Sequence, residues 1–386
     1  MDQNHLCCQL HHPPRAGRAR SVPAGDACQP TVRPSTLRPA STHGRLVKLD
    51  AALLTEDLGR VGDIARRAVA GGYDGLWTAE TQHDPFLPLV LAVEHSETLE
   101  LGTGIAVAFA RNPMTLAHLA WDLQSFSEGR FILGLGSQIK AHIRLRFSME
   151  WSKPAARMRE MILAIRAIWR AWGQGTPLDF KGEFYTHILM TPFFDPGPQP
   201  FGSPPIYLAA VGPHMTRVAG EVADGLLAHG FTTESYLREV TLPTLAEGAY
   251  RAGRSADDVV VSLPVFVVTG GDDQETAASR DAVRQQIAFY GSTPAYRGVL
   301  EHHGWGDLQT DLTRMSKKGS WEEMAALIDD DILHTFAVVG SPAEVGPMIY
   351  QRYGDVADRV SFYTMPSGHG EAVMQEIVSG LRTAAS

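Results

Sequence analysis

The segment Pro205–Thr216, which reads PIYLAAVGPHMT, predicts a buried strand that runs directly into a helix. Its apolar run up to Val211 has the continuous hydrophobicity of a strand buried on both faces. Gly212 and Pro213 then form the turn, because glycine lets the backbone approach a ligand closely and proline suits the first turn of a helix. The free N–H groups and the positive end of the helix dipole favour a phosphate at this turn. The alternative is an ordinary strand-to-helix turn that binds nothing.

The same strand-to-helix rhythm recurs along the chain from Val47 onward. Apolar runs predict strands at Leu46–Leu54, Gly75–Ala79, Leu99–Phe109, Arg130–Gly136, Pro205–Val211, Gly225–His229, Val259–Val268 and Arg359–Thr364. Amphipathic spacing predicts helices at Leu58–Ala70, Phe86–His95, Met114–Phe126, Pro154–Trp172, Met215–Ala223, Glu234–Arg251, Gln274–Tyr290 and Glu371–Thr383. The pattern therefore contains eight strand–helix units.

Eight such units favour one fold class. Parallel strands need crossover helices, and eight units in about 340 residues fit a (β/α)8 TIM barrel with insertions better than a doubly wound sheet of five or six strands. The insertions are predicted at Asp179–Ser203 and Tyr290–Gly354. The second insertion carries its own helices, among them Trp321–Asp329 and Pro342–Tyr353.

Charge and hydropathy exclude two classes of partner. The 386-residue chain has a formal net charge of −9, which gives no electrostatic support for nucleic-acid binding. No apolar run reaches the roughly 18 residues that span a bilayer, so no membrane partner is expected. A small-molecule substrate remains, and the active site of a TIM barrel lies at the carboxyl ends of its strands.

The first 46 residues differ from the rest. They carry six arginines against two aspartates, a net of +4 that leaves −13 for residues 47–386. Their Pro, Arg, Ser and Ala content, without an aromatic residue or a hydrophobic period, predicts a disordered extension. A transit peptide is the alternative. We expect the functional chain to start near Val47, as a single barrel domain over residues 47–386.

Cysteine usage narrows the chemistry. Cys7, Cys8 and Cys28 all lie in the extension, so residues 47–386 have no cysteine. Disulfides, thiolate catalysis and Cys-ligated metal sites are thereby excluded from the predicted barrel. We expect a cytoplasmic protein.

The turn after the second strand, WTAETQHDPF, contains the first acid–base candidates. Glu80 and His83 could perform proton transfer in the low dielectric that neighbouring Trp and Phe side chains create. Asp84 is better explained as the cap of the following helix, with Pro85 at its first position. Arg111, beyond the third strand, could meet an anionic group or form a structural salt bridge.

The fourth strand ends in Gly134-Leu135-Gly136, followed by Ser137 and Gln138 and then by His142, a further acid–base candidate. No dinucleotide fingerprint follows, because the third glycine and the ribose-binding acid are absent at the required spacing. His229, after the sixth strand, could face a ligand or the surface. The histidines do not follow a helical metal-binding spacing, and no G-x-S-x-G nucleophile elbow occurs.

Six segments in chain order carry a family resemblance. They are Trp77–Glu80 (WTAE), Gly102–Ile105 (GTGI) with Arg111 and Pro113, Gly129–Ser137 (GRFILGLGS), Ala209–Pro213 (AAVGP), Ala219–Gly225 (AGEVADG) and Val339–Val345 (VGSPAEV). Together they resemble the luciferase-like monooxygenase family, and within it the deazaflavin-dependent branch that uses coenzyme F420. The resemblance covers essentially residues 47–386.

The resemblance implies a barrel that holds a flavin or deazaflavin, without a metal. It implies a non-proline cis peptide at Gly104–Ile105 behind the flavin ring, and a cofactor phosphate on the Gly212–Pro213 turn. The implied cofactor-binding residues are Thr103, Gly104, Ile105, Gly136, Ser137, Gln138, Ala210, Val211, Gly212, Pro213 and His214. Many relatives have a histidine directly after the acid that corresponds to Glu80, whereas here the imidazole comes only at His83.

The implied activity is hydride transfer between coenzyme F420 and a small organic substrate. The first alternative is an FMN-dependent two-component monooxygenase, and the second is a deazaflavin-binding protein without catalysis. Acid–base candidates are taken in the order His83, Glu80, His142. We expect a homodimer, supplied with reduced cofactor by a flavin or F420 reductase.

Overall fold

The computed structural model describes residues 47–364 and 370–386, and these residues form a closed barrel of eight parallel strands. The barrel strands are β1 Lys48–Leu53, β2 Gly75–Thr78, β3 Glu100–Thr103, β4 Phe131–Gly136, β5 Ile206–Ala210, β6 Gly225–Ala228, β7 Val260–Val268 and β8 Arg359–Thr364. Each strand pairs with the next, and β8 pairs with β1, which closes the barrel. The predicted (β/α)8 fold class is confirmed.

The helices outside the barrel agree closely with the amphipathic pattern. They are α1 Val61–Ala70, α2 Leu87–Glu94, α3 Pro113–Phe126, α4 Pro154–Gln174, α5 Pro213–Val222, α6 Leu242–Arg251, α7 Asp273–Gly291 and α8 Glu371–Ala384. Helical turns of other types occur at Leu58–Arg60, Ala108–Ala110, His142–Arg146, Leu237–Thr241, Ala256–Asp258 and Pro294–Tyr296. Glu234–Tyr236 is a short helix that leads through one of these turns into α6.

The insertions lie where the sequence predicts them but contain more structure. The first holds a two-stranded antiparallel pair, Phe180–Lys181 with Thr186–His187. The second holds the helices Arg297–His302, Gly306–Ser316, Trp321–Ala326, Asp330–Phe336 and Pro342–Tyr353. A short strand there, Ala337–Val339, pairs in parallel with β7.

Two predicted boundaries are wrong for local reasons. The strand predicted at Leu99–Phe109 is interrupted after Thr103, where the chain turns and the Gly104 N–H donates to the carbonyl of Thr78 at 2.6 Å. A two-residue strand, Ala106–Val107, then pairs in parallel with β4 before the helical turn at Ala108–Ala110. Pro85 is not the first residue of a helix, since α2 begins at Leu87. Asp84 is likewise not the N-cap, which is Phe86, although its Oδ1 accepts from the N–H of Phe86 (2.8 Å) and of Leu87 (3.2 Å) at the start of the helix.

The main hydrophobic core lies between the barrel and the helices that cover it. Trp169 and Trp172 of α4 are each 1% exposed, and the Trp169 indole N–H donates to the carbonyl of Ala117 in α3 at 3.1 Å. Truncating a buried tryptophan typically costs about 3–5 kcal/mol. These residues therefore fix the helical layer on the β3–β5 side of the barrel.

One glycine is required by the close approach of β3 and β4. An added Cβ on Gly134 would lie 1.7 Å from the carbonyl oxygen of Thr103, which no side chain tolerates. The Thr103 hydroxyl bridges the same strands, donating to the Gly134 carbonyl (2.7 Å) and accepting from the Gly134 N–H (2.9 Å). The glycine is thus required for the packing of β3 against β4.

The amino end of the barrel interior is filled by the residues Lys48, Asp50, Trp77, Glu100 and Arg359, which we call the floor cluster. The Arg359 guanidinium is 3% exposed and forms a bidentate pair with Asp50, Nε–Oδ2 at 2.8 Å and Nη2–Oδ1 at 2.5 Å. It also donates to Glu100, which Lys48 pairs with from the other side at 2.7 Å. The indole of Trp77 lies over Arg359 at 5.4 Å.

Burial and pairing compete within the floor cluster. Burial raises the pKa of Asp50 in spite of the adjacent Arg359. Burial acts in the same direction on Glu100, but Arg359 and Lys48 outweigh it, and the pKa of that carboxyl is lowered. Charges buried inside a protein must be paired, so this end of the barrel is a structural plug.

The expected extension and start site, residues 1–46, lie outside the described residues. Within residues 47–364 and 370–386, no helix combines the length and hydrophobicity needed to cross a membrane.

Candidate active site

The carboxyl ends of all eight strands meet at one end of the barrel, which we call the mouth. Asp50, Trp77 and Tyr207 have side chains that lie inside the barrel. Because inward-facing positions repeat every second residue along a strand, counting on from these three residues gives the inward-facing positions nearest the mouth. Small or apolar residues occupy these positions and the turns beyond them: Ala52, Ala79, Gly104, Ile105, Ala209 and Val211. All six are exposed or half-buried, so this side of the mouth is open.

The predicted cis peptide bond between Gly104 and Ile105 is confirmed. Backbone hydrogen bonds join this turn to β2 and the residues after it: Gly104 N–H to the Thr78 carbonyl at 2.6 Å, and Glu80 N–H to the Ile105 carbonyl at 3.2 Å. Ile105 in turn packs toward β4, since a Cβ on Gly136 would lie 2.7 Å from its side chain. The turn therefore forms a fixed apolar wall of the mouth.

The turn after β5 offers unpaired donors beside open space. Gly212 caps α5 in an extended conformation, without a capping side chain, and an added Cβ there would meet nothing within 4 Å. The N–H groups of His214 and Met215 find no acceptor among residues 47–364 and 370–386, whereas the Thr216 N–H donates to the Gly212 carbonyl. A helix start of this kind suits an anion such as phosphate.

The other predicted cofactor-binding residues lie around the mouth with different access. Ser137 and Gln138 follow β4 and are half-buried, and Gln138 has a positive φ of 58°. Thr103 and Ala210 are buried in the barrel wall, so their side chains are occupied by packing. Pro213 is exposed at the start of α5.

Glu80 is held by the protein itself. Its Oε2 accepts from the Val107 N–H at 2.7 Å and from Arg111 Nη1 at 2.5 Å, and its side chain is 7% exposed. Arg111 also donates to Asp84 at 3.0 Å. Of the two roles considered for Arg111, the structure places it in a salt bridge that fastens the β2 and β3 turns together.

His83 and His142 are both exposed, and neither imidazole hydrogen-bonds to a described residue. Their two loops are joined, because Arg146 donates to the carbonyl of Thr81. The structure thus brings the loops of two acid–base candidates together at the rim of the mouth, while Glu80 lies lower in the wall.

His229 faces inward, which the sequence left open. Its ring lies 4.6 Å from that of Tyr290, 4.7 Å from Tyr296 and 5.7 Å from Tyr363. Burial lowers the pKa of His229 to about 4. Two of the tyrosines come from the second insertion region and the third from β8, so neither spacing nor local motif could have grouped them. The one sequence signal for the direction of His229 was the alternation of inward-facing and outward-facing residues along the sixth strand.

Within the described ranges, no group of three or more His, Cys, Asp or Glu residues is arranged to hold a metal ion. The groups available at the mouth are therefore an apolar wall, backbone donors, a paired carboxylate and histidines.

The structure defines a TIM barrel whose mouth has small residues on its open side and, after its fifth strand, a helix start whose free N–H groups suit an anion. The sequence profile of a family described as luciferase-like monooxygenase matches residues 33–359. The chain belongs to the luciferase-like monooxygenase family.

Individual proteins and solved structures are also similar to this chain. The chain is 56% identical over 316 residues to an uncharacterised protein of Mycobacterium tuberculosis, covering 82% of this chain and 93% of that protein. It is 28% identical over 285 residues to 5,10-methylenetetrahydromethanopterin reductase of Archaeoglobus fulgidus, covering 71% of this chain and 80% of the reductase. A solved structure, coenzyme F420 dependent tetrahydromethanopterin reductase from Methanopyrus kandleri, has a TM-score of 0.70 at 24% identity, covering 86% of this chain and 97% of that one.

Proposed function

We propose that this protein is an oxidoreductase that uses the deazaflavin coenzyme F420 to move a hydride to or from a small organic substrate. The observation that carries the proposal is the open side of the mouth, where an apolar wall of Gly, Ala and Ile ends at the unpaired N–H groups of α5. A flat ring system would lie against the apolar wall, and its phosphate-bearing tail would reach the α5 N–H groups.

The residues present fit such a cofactor. The turn Gly212–His214 would hold its phosphate, since the space next to Gly212 is open and the α5 donors are free. Gly104 and Ile105 would support the ring from behind, with Ser137 and Gln138 at its edge. When bound, the deazaflavin supplies the two-electron chemistry, and the protein supplies position and electrostatics.

The protein's own groups would manage the proton that accompanies hydride transfer. His83 and His142 stand at the rim, and histidine is the side chain most often used for proton transfer in catalysis. Glu80 is bound to Val107 and Arg111, so its carboxylate would keep the wall in shape and shift protons only if that pairing opened. We therefore keep His83 as the first candidate for proton transfer.

The reductase relatives support F420 over other cofactors. One is named as a 5,10-methylenetetrahydromethanopterin reductase and another as coenzyme F420 dependent. The family's description as a monooxygenase favours the rival, an FMN-dependent enzyme that receives reduced flavin from a partner reductase. A protein that binds F420 without catalysis is the third candidate.

Absorbance and fluorescence titrations of the purified protein with F420 and, separately, with FMN test the proposal. We expect saturable F420 binding, much tighter than FMN binding, and oxidation or reduction of bound F420 by substrate without oxygen. Tighter FMN binding with oxygen-dependent turnover would establish the rival. Saturable F420 binding without turnover across a broad panel of alcohols, ketones and imines would establish the third candidate.

A further inference from the structure

The side of the mouth opposite the open apolar wall is aromatic. His229, Tyr290, Tyr296 and Tyr363, which we call the aromatic cluster, lie at the ends of β6 to β8 and in the second insertion region. Tyr290 and Tyr363 are hydrogen-bonded through their hydroxyls, and all four residues are half-buried. The cluster is therefore an aromatic surface that the fold assembles on this side of the mouth.

The hydrogen bonding of His229 fixes which of its nitrogens carries a proton. Nδ1 accepts from the Phe231 N–H at 3.0 Å, so the neutral ring must carry its proton on Nε2. Among residues 47–364 and 370–386, Nε2 has no hydrogen-bond partner, and it is not an enclosed atom. His229 thus presents an unused N–H donor between aromatic rings.

Among residues 47–364 and 370–386, no charged side chain hydrogen-bonds to this surface. The four rings contact one another, the three tyrosines also pack against buried apolar side chains, and the hydrogen bonds of the cluster are to the Phe231 N–H and between two tyrosine hydroxyls. The nearest cation along the chain, Arg297, is paired with Glu301 at 2.5 Å and with Gln309. An anionic ligand would find no counter-charge among these described residues, whereas a ring would find stacking partners.

We infer that the aromatic cluster is the substrate-recognition site, and that it selects an uncharged, planar ring compound whose oxygen or nitrogen acceptor receives a hydrogen bond from His229 Nε2. His229 acts here as a positioning donor that keeps its proton. The inference rests on the proposed function, because it places this ring as the substrate next to the cofactor.

Matched probes of the same size test the site without cofactor. Benzamide is a neutral ring with an acceptor, and benzoate is the same ring with a negative charge. In protein labelled with ¹⁵N-histidine, we expect the His229 ring to show the Nε2–H form between about pH 6 and pH 8. Benzamide should shift its signals and bind at least tenfold more tightly than benzoate.

Variants separate the donor from the fold. His229→Phe should weaken benzamide binding at least fivefold, whereas His229→Gln, which retains a neutral N–H donor, should stay within about twofold of wild type. Tyr296→Leu, which removes the stacking partner, should also weaken binding. His95→Phe, at an exposed histidine after α2, serves as the control and should change nothing.

Equal binding of benzoate and benzamide, or unchanged benzamide binding in both His229→Phe and Tyr296→Leu, would overturn the inference. The F420 titration is read separately. Selective benzamide binding without F420 binding supports the ring site and rejects the deazaflavin function, while F420 binding without benzamide selectivity rejects the ring site alone.

Discussion

The two ends of the barrel interior are built from opposite materials. The floor cluster pairs two cations with two carboxylates beside an indole, and its Asp50–Arg359 pair is almost fully buried. The mouth carries glycine, alanine and exposed backbone donors on one side and aromatic rings on the other. The comparison teaches that charge at the floor serves stability, while small residues on the open side of the mouth leave room for a ligand.

The sharpest test of the floor is Arg359→Met. This change leaves Asp50 buried without its partner and leaves Glu100 paired with Lys48 alone, and breaking one side of a buried pair costs about 3–5 kcal/mol. We expect the free energy of unfolding, measured by chemical denaturation, to fall by that amount.

Two further variants serve as controls for the floor. Lys48→Met removes a half-exposed partner of Glu100 and should cost less than about 1 kcal/mol. Asp50→Leu combined with Arg359→Met should recover part of the loss, because no uncompensated charge then remains at that pair. A loss below about 1 kcal/mol for Arg359→Met would mean that the floor is not a stability device.

The next test asks whether the mouth carries out proton transfer. We expect at least one of His83→Ala, Glu80→Gln and His142→Ala to lower turnover by about 10²–10⁴-fold, at least about 2.7 kcal/mol in barrier, with little change in cofactor affinity. Steady-state oxidation of reduced F420 by a substrate found in the screen provides the measurement. Melting temperature must be recorded for Glu80→Gln, whose carboxylate also holds Arg111.

If all three variants stay within about threefold of wild type, less than about 0.7 kcal/mol, no side chain at these strand ends donates the proton. His95→Ala, on the outer surface, is the control and should retain full turnover.

The aromatic side of the mouth should make stability sensitive to acid. The pKa of His229 falls from 6.5 to about 4 on folding, so the unfolded chain binds a proton over that interval that the folded chain does not. The stability from neutral His229 is complete above pH 6.5 and is lost as pH falls toward 4. Between about pH 7.5 and about pH 5 the loss is about 2 kcal/mol.

His229→Phe removes this titration, so its unfolding free energy should fall by about 2 kcal/mol less than that of wild type over the same interval. Denaturant titrations at the two pH values provide the comparison. Parallel decreases in the two proteins would show that the ring is freely protonated in the fold.

Features set by residues near one another in the chain could be predicted from the sequence, whereas contacts between distant residues could not. The barrel follows from hydrophobic period alone, because each strand and helix is locally consistent. The Gly212 turn could be predicted because glycine and proline restrict the backbone at their own positions, without help from distant residues. The Asp50–Arg359 pair joins residues 309 positions apart, and only the presence of charges inside apolar strands hinted at it. His229 was seen, but its direction depended on Tyr290, Tyr296 and Tyr363, which fold onto it from elsewhere.

The smallest expected effect tests the open side of the mouth most directly. Gly212→Val places a side chain into the space beside the α5 donors, where an added Cβ meets nothing, so the fold should be retained while cofactor binding weakens at least tenfold, about 1.4 kcal/mol. Gly306→Val, at the start of a helix in the second insertion, is the matched control and should bind normally. Unchanged F420 affinity in Gly212→Val, with an unchanged melting temperature, would move the phosphate away from this turn and leave the mouth without its anion site.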